Sequence, residues 1–233
     1  MQAVADISRA EGGTLLRPAA ARSETPDAVD LLEQFGTTVR LAREHEIHSE
    51  GASTTHCYRV VSGCVRTVRL MEDGRRQVGE FLLAGDLFGL DDLGDHAFSA
   101  EAVTEVVLRR YPRRMVEGLA ESHPALGRRL RELALANLRA VQEHVVLLGR
   151  KTATERLASF MLEMDRRIQG KGSEMLEFPM CRADIADHLG LTVETVCRVL
   201  AQLKREGVIS VTRSGVRLHD RAALRGVACQ TRH

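Results

Sequence analysis

Hydrophobic positions along this chain change texture three times, and each change predicts a different kind of structure. Residues 1 to about 28 are rich in Ala, Arg, Ser and Pro without sustained periodicity, which predicts a mobile N-terminal arm. From about Val39 to Tyr111, short apolar runs are broken by Gly and Asp: YRVVSGCVRTVRL, MEDGRR and QVGEFLLAGDLFGL. Asp73-Gly74 between two such runs is a hairpin signal. Closely spaced short strands predict a small antiparallel barrel or roll over residues 29–112. The alternation is too irregular to fix strand registers.

After Pro112 the period becomes helical, and residues 113–149 are expected to form one long element. Leu126, Leu130, Leu133, Asn137, Ala140, His144 and Leu147 fall at successive d and a positions of a heptad. A seam of that kind with one Asn at an a position is how a parallel two-stranded coiled coil fixes register and partner number. A second stripe, Leu135, Leu138, Val145 and Leu148, is available to pack on the chain's own roll. The expectation is a homodimer built on the first stripe.

Gly149 predicts a break, and Thr152 with Glu155 forms a capping box opening the next helix. Gly170-Lys171-Gly172 should end it, and MLEFPM is a short strand candidate. CRADIADHLGLTVETVCRVLAQLKREG then reads as two helices around a Gly-containing turn. GVISVTRSGVRLHD has the apolar runs and Ser214-Gly215 turn of a hairpin, and Asp220 can cap a last helix. Helix, helix, hairpin over residues 150–233 is a winged helix-turn-helix order. The fold class is therefore α+β.

Composition adds little until the chain is divided. Net charge is +1, yet residues from 150 onward carry 15 Lys/Arg against 10 Asp/Glu, while the rest carries 18 against 22. A basic C-terminal half implies that an anionic partner meets that half, although a solvated face gives the same imbalance. No apolar run approaches the ~18 residues needed to cross a bilayer. No charged-then-apolar leader opens the chain, so a cytoplasmic location without a membrane partner is the expectation. The 5 cysteines form no C-x-x-C pair, and the 9 histidines are scattered, so neither a metal site nor a cofactor is expected.

The helix-turn-helix carries the chemistry. Ala186 supplies the small residue where two helices cross, Gly190 suits positive φ in the turn, and Thr192 can cap the second helix. Val193, Val196, Val199, Leu200 and Leu203 share one face at helical spacing and are expected inward. Glu194, Cys197, Arg198, Ala201 and Arg205 then face outward, with the N-terminal members deepest in a DNA major groove. Arg binds guanine O6/N7 bidentately and Glu accepts from cytosine N4, so the pair suits a G·C step. Double-stranded DNA is the expected partner, with Arg182, Thr192 and Thr195 placed to meet its backbone. Charged residues on a helix face are ordinarily only solvated. Here the turn spacing, the Glu/Arg pair and the following wing agree.

RADIADHLGLTVETVCR closely resembles the helix-turn-helix of the CRP/FNR family, in its FNR/FixK branch. The likeness continues through LLGRKTATERLASFMLEMDRR and GRRQVGEFLLAGDLFGL, covering residues 40 to 228. It implies an N-terminal cupin-like β-roll, a long dimerisation helix, a C-terminal winged helix, a palindromic TTGAT–ATCAA type operator and contact with RNA polymerase. It also implies base-reading roles for Glu194 and Arg198. Val193 stands where the CRP branch has an arginine, which favours the FNR-type half-site. No cysteine precedes Cys57, so the iron–sulfur cluster of FNR has no ligands in its usual place. Gly85-Asp86 and Phe98-Ser99-Ala100 replace the glycine-glutamate pair and Arg-Ser-Ala clamp of cyclic-nucleotide binders. An aromatic where a phosphate needs a guanidinium removes the bidentate anion contact. The resemblance thus points to a FixK-type activator of microaerobic or nitrogen-fixation genes. The competing reading is a regulator of the same fold gated by an effector in the roll.

Two cysteines lie inside the DNA-reading module. Cys181 occupies the N-cap position of the first helix, beside Arg182, where helix dipole and guanidinium both favour the oxidisable thiolate. A sulfinate formed there would oppose DNA phosphate. Cys197 precedes Arg198 where relatives commonly have Ser. The plainer reading of both is a tolerated substitute for Ser. Arg75 and Arg76 at the roll's hairpin are candidate polymerase contacts, though exposed arginines are more often simply solvated.

Overall fold

The computed structural model describes residues 28–90, 94–168, 175–176, 178–212 and 215–229. A 3-10 helix at Ala28–Gln34 leads into β1 (Thr37–Leu41), β2 (Glu46–His48), β3 (His56–Ser62) and β4 (Cys64–Leu70). β5 (Arg76–Leu83), β6 (Leu87–Phe88), β7 (Ser99–Ala102) and β8 (Val106–Pro112) complete the roll. Two four-stranded sheets result, ordered β1-β8-β3-β6 and β2-β7-β4-β5, with every pairing antiparallel. The β4–β5 hairpin turns at Asp73-Gly74, where Gly74 takes φ 82°, a region glycine enters without steric cost.

Val60, Val65, Leu82, Phe88, Ala102 and Leu108 are among the buried residues that fill the space between the sheets. The strand registers are unreadable in sequence for a specific reason. β4 shifts register between Arg66 and Val68, and both its faces are covered, one by the opposite sheet and the other by the C-terminal domain. A strand buried on both faces loses the alternation that a half-buried strand shows.

The helical segment at residues 113–149 is two elements, α1 (Arg113–Ser122) and α2 (Pro124–Arg150). Pro124 lies in the first turn of α2 and holds His123 extended at φ −123°, ψ 91°. α2 runs on through Gly149 and is capped at Lys151, so Gly149 does not break it.

The first α2 stripe, expected at a dimer seam, packs largely on the chain's own domains instead. Leu126 is buried with Val29, Leu32, Cys57, Tyr111 and Val116 of its own chain, and Leu130 and Leu133 pack against the same cluster. His144 stacks on His188 of the C-terminal domain, with ring centroids 4.4 Å apart, and Leu147 packs on that domain's core. Asn137 and Ala140 are half-buried on the same side. Of the second stripe, Leu135, Leu138 and Val145 are 58%, 54% and 64% exposed, as is neighbouring Val141 at 58%, whereas Leu148 is half-buried beside Gly190. Both stripes recur at helical spacing, and the nearer apolar surface of the same chain takes the first.

α3 (Ala153–Ile168) begins with the expected capping box: Glu155 accepts from the Thr152 amide at 2.6 Å, and Thr152 Oγ1 from the Glu155 amide at 3.4 Å. Beyond it come β9 (Met175–Leu176), α4 (Arg182–Leu189), α5 (Val193–Arg205), β10 (Ile209–Val211), β11 (Val216–Leu218) and α6 (Arg221–Ala228). The three short strands form a wing sheet ordered β10-β11-β9. Asp220 caps α6 through the Ala223 amide at 2.8 Å. The Gly170–Gly172 terminator, Ser214 of the wing turn and residues 1–27 of the N-terminal arm lie outside the described residues. Val68, Val78, Phe81 and Val103 of the roll share one buried cluster with Phe160, Ile185 and Leu189, so roll and winged helix are packed together.

Candidate nucleic-acid interface

α4 stops where the sequence calls for it. Gly190 takes the left-handed conformation at φ 60°, ψ 43°, and its amide returns to the Ala186 carbonyl. The Leu191 amide reaches the same oxygen at 2.9 Å. A glycine at this helix end turns the chain without the steric cost a side chain would add. Thr192 then caps α5, its hydroxyl accepting from the Thr195 amide at 3.2 Å. Ala186 is 1% exposed, which lets the two helices approach.

Val196, Val199, Leu200 and Leu203 are buried and fix the inward face of α5. Val193 is not among them. At 39% exposure it sits beyond the end of the core, correcting its inward placement while leaving it available to a partner. Glu194, Arg198, Ala201 and Arg205 are exposed, and Cys197 is half-exposed. The Glu194 carboxyl is held below the ordinary carboxylate range, first by a backbone amide at the helix start and then by the Thr192 hydroxyl. It is therefore an acceptor throughout the neutral range. Arg198 Nη2 donates to Thr195 Oγ1 at 3.4 Å, which links the base-reading and backbone candidates along one edge of α5.

Cys181 is the N-cap of α4 and is exposed, as expected. Its thiol donates to Asp184 Oδ2 at 3.3 Å, and Asp184 accepts from its amide at the same distance. Arg182 turns away from Cys181 and places Nη1 3.4 Å from Cys197 Sγ. The basic neighbour expected for Cys181 thus serves Cys197, because the Asp184 carboxylate already occupies the near side of the cap. Cys57 and Cys64 are buried, and burial pushes both thiols up to about 12, which makes them inert packing residues.

Sequence reading missed the groups that hold this module in place. Arg156 on α3 donates to the carbonyls of Leu148 (2.7 Å), Lys151 (2.9 Å) and Leu189 (2.8 Å), closing the C-terminal ends of α2 and α4 together. Arg76 is no free hairpin arginine: it pairs with Asp184 and Asp187 on α4. Arg75 pairs with Asp73 and stays on the surface. Asp86 accepts from the Leu83 amide at 2.7 Å and ion-pairs with Arg167 of α3, so this acid is committed to the roll–α3 contact. Phe98 lies against Gly79, where an added Cβ would meet its ring at 3.3 Å. Only the contrast between charged residues and short strands hinted at these contacts, and their partners are remote in the chain.

A β-roll joined by a long helix to a winged helix-turn-helix with a polar outward edge defines a class, that of DNA-binding transcription regulators. Residues 155–227 match the Crp-like helix-turn-helix domain and residues 38–123 the cyclic nucleotide-binding domain. The nitrogen fixation regulation protein FixK of Bradyrhizobium diazoefficiens is 39% identical over 206 residues, 87% of either chain. FixK of Azorhizobium caulinodans is 44% identical over 209 residues, covering 88% of this chain and 84% of that one. The solved structure of FixK2 from Bradyrhizobium japonicum superposes with a TM-score of 0.80 at 38% identity, covering 84% of this chain and 99% of that one. The chain belongs to the CRP/FNR family of transcription regulators, in its FixK-like branch. Its relatives are regulators rather than enzymes. No helix among the described residues is long and apolar enough to cross a membrane.

Proposed function

We propose that this protein is a cytoplasmic, homodimeric transcription activator that reads a palindromic TTGAT–ATCAA type operator and controls microaerobic or nitrogen-fixation genes, like the FixK proteins it is similar to. The observation that carries the reading is the outward edge of α5, where an ionised Glu194 and an exposed Arg198 stand side by side above a buried apolar face. Val193, Glu194, Cys197 and Arg198 face base edges, while Arg182, Thr192 and Thr195 meet the phosphates. The dimer forms through the exposed patch Leu135, Leu138, Val141 and Val145, because four large apolar side chains along one flank of α2 have no cover within one chain. RNA polymerase is the further partner. No small-molecule cofactor is required.

Cys181 makes binding redox-sensitive. A sulfinate at this N-cap sets negative charge against both DNA phosphate and the adjacent Asp184 carboxylate.

The test is fluorescence anisotropy at fixed salt with a TTGAT–ATCAA duplex and a scrambled duplex of equal length. Binding to the palindrome at least a hundredfold tighter is expected, and Arg198→Ala should cost about 1–3 kcal/mol on the palindrome alone. Equal loss on both duplexes would mean that Arg198 contacts phosphate.

A further inference from the structure

The roll grips the DNA-reading module through a buried ionic cluster. Arg66 on β4 donates Nη1 to Asp184 Oδ1 at 3.0 Å, and the two side chains are 6% and 3% exposed. Arg76 on β5 donates Nη2 to the same oxygen at 2.7 Å and Nε to Asp187 Oδ2 at 2.8 Å. Arg66 is itself fixed from behind by Glu101, its cross-strand partner on β7, at 2.9 Å, and by Glu44 at 2.6 Å. The two oxygens of Asp184 divide the labour. Oδ1 faces the roll arginines, while Oδ2 closes the cap of α4 through the Cys181 amide and thiol.

The other end of α4 is held by the same strand. Gln77 Nε2 donates to the His188 carbonyl at 3.3 Å, and His188 Nδ1 lies 3.2 Å from the Val78 carbonyl oxygen. Contacts to β5 at both ends of α4 define its orientation in this structure, and the turn at Gly190 passes that orientation to α5. A buried charge that loses its partner costs far more than an exposed one, so this docking resists partial release. A dimer that reads a palindrome must hold its two recognition helices about one helical turn of DNA apart.

We propose that Arg66 and Arg76 are positioning residues for operator recognition: through Asp184 and Asp187 they set the attitude of α5, and thereby the preference for a palindrome over an isolated half-site. The inference rests on the dimeric operator reading above. It predicts that these arginines matter without touching DNA.

Arg76 and Asp187, each 29% exposed, are the pair to alter, because neither lies in the tightest part of the core. Arg76→Asp should weaken binding to the palindrome tenfold or more while changing half-site binding at low salt less than twofold. Asp187→Ala removes part of the same contact from the α4 side, so combining it with Arg76→Asp should cost less than the product of the two single losses. A merely folding-related role would lower both duplexes alike and the two losses would multiply. Either of those results, or palindrome binding unchanged in the single variant, overturns the proposal. Calorimetry without DNA supplies an independent readout: one unfolding transition in wild type, split into two by Arg76→Asp. If wild type shows no palindrome preference, the operator reading fails instead. The transition then decides the docking role by itself, an unsplit variant overturning it.

Discussion

His188 offers the sharpest quantitative prediction, because it is a titratable group at the junction of every domain. Its ring lies between His144 of α2 (4.4 Å between centroids), Phe81 of β5 (5.3 Å) and Phe160 of α3 (5.7 Å). Burial pushes its pKa down to about 3, His144 and Arg167 act in the same direction, and the carbonyl contacts of β5 only partly oppose them. The charged imidazolium is therefore excluded from the folded protein but accepted at the ordinary 6.5 once the chain unfolds. Above pH 6.5 this group takes nothing from stability. Below it, the unfolded state binds a proton that the folded state refuses, and stability falls by up to ~1.4 kcal/mol per pH unit until about pH 3. At pH 5 the loss from His188 alone is roughly 2 kcal/mol. His144, also pushed down by burial, adds to it.

Urea unfolding at pH 7.5 and pH 5.0 measures this directly, in wild type and in His188→Asn. Asparagine keeps a side-chain N–H toward the Val78 carbonyl and cannot titrate. The variant starts from lower stability because its smaller side chain leaves space among Phe81 and Phe160. Its decline between the two pH values should nonetheless be smaller than wild type's by roughly 2 kcal/mol. Identical declines would refute the claim that neutral His188 is a condition of the docked state.

Other consequences are as concrete. Leu138→Glu leaves the monomer's fold intact, since the side chain is 54% exposed, but removes two half-covered leucines from the dimer, about 1.5–3 kcal/mol in total. Sedimentation should show monomers at micromolar concentration, and a persistent dimer would place the interface elsewhere. Arg156→Met leaves three helix-end carbonyls without their donor and should lower unfolding free energy by about 3 kcal/mol. A loss below about 1 kcal/mol would mean that water replaces the guanidinium at little cost. Peroxide should abolish palindrome binding by wild type but not by Cys181→Ser, as read by mobility shift at fixed salt. Equal loss in both would transfer the sensitivity to Cys197, whose sulfur lies 3.4 Å from Arg182.

What the sequence made legible depended on distance along the chain. Caps act over three residues, so Thr152 with Glu155, Thr192 with Thr195, and Asp220 with Ala223 were readable locally, as was the left-handed turn at Gly190. The order of roll, helix and winged helix followed from changes of period. The two stripes of α2 were visible, but which one faces the chain's own roll depends on Val29, Leu32 and Tyr111, residues that no heptad count contains. Val193 continued the apolar spacing of α5, and only the end of the core beneath it shows why it is exposed. Arg66 and Asp184 lie 118 residues apart, so their pairing left no local trace. Arg76 was conspicuous for its charge and position, but its partner on the chain's own α4 lies more than a hundred residues away and left no local trace.

The central claim is that α5 reads a palindrome through Glu194 and Arg198, and selection of bound sequences from a randomised duplex pool tests it most directly. Wild-type protein under reducing conditions should enrich a palindrome with TTGAT half-sites, and Arg198→Ala should lose discrimination at the G position while retaining the rest. A pool that stays random, or an enriched palindrome of unrelated sequence that Arg198→Ala leaves unchanged, would contradict the account.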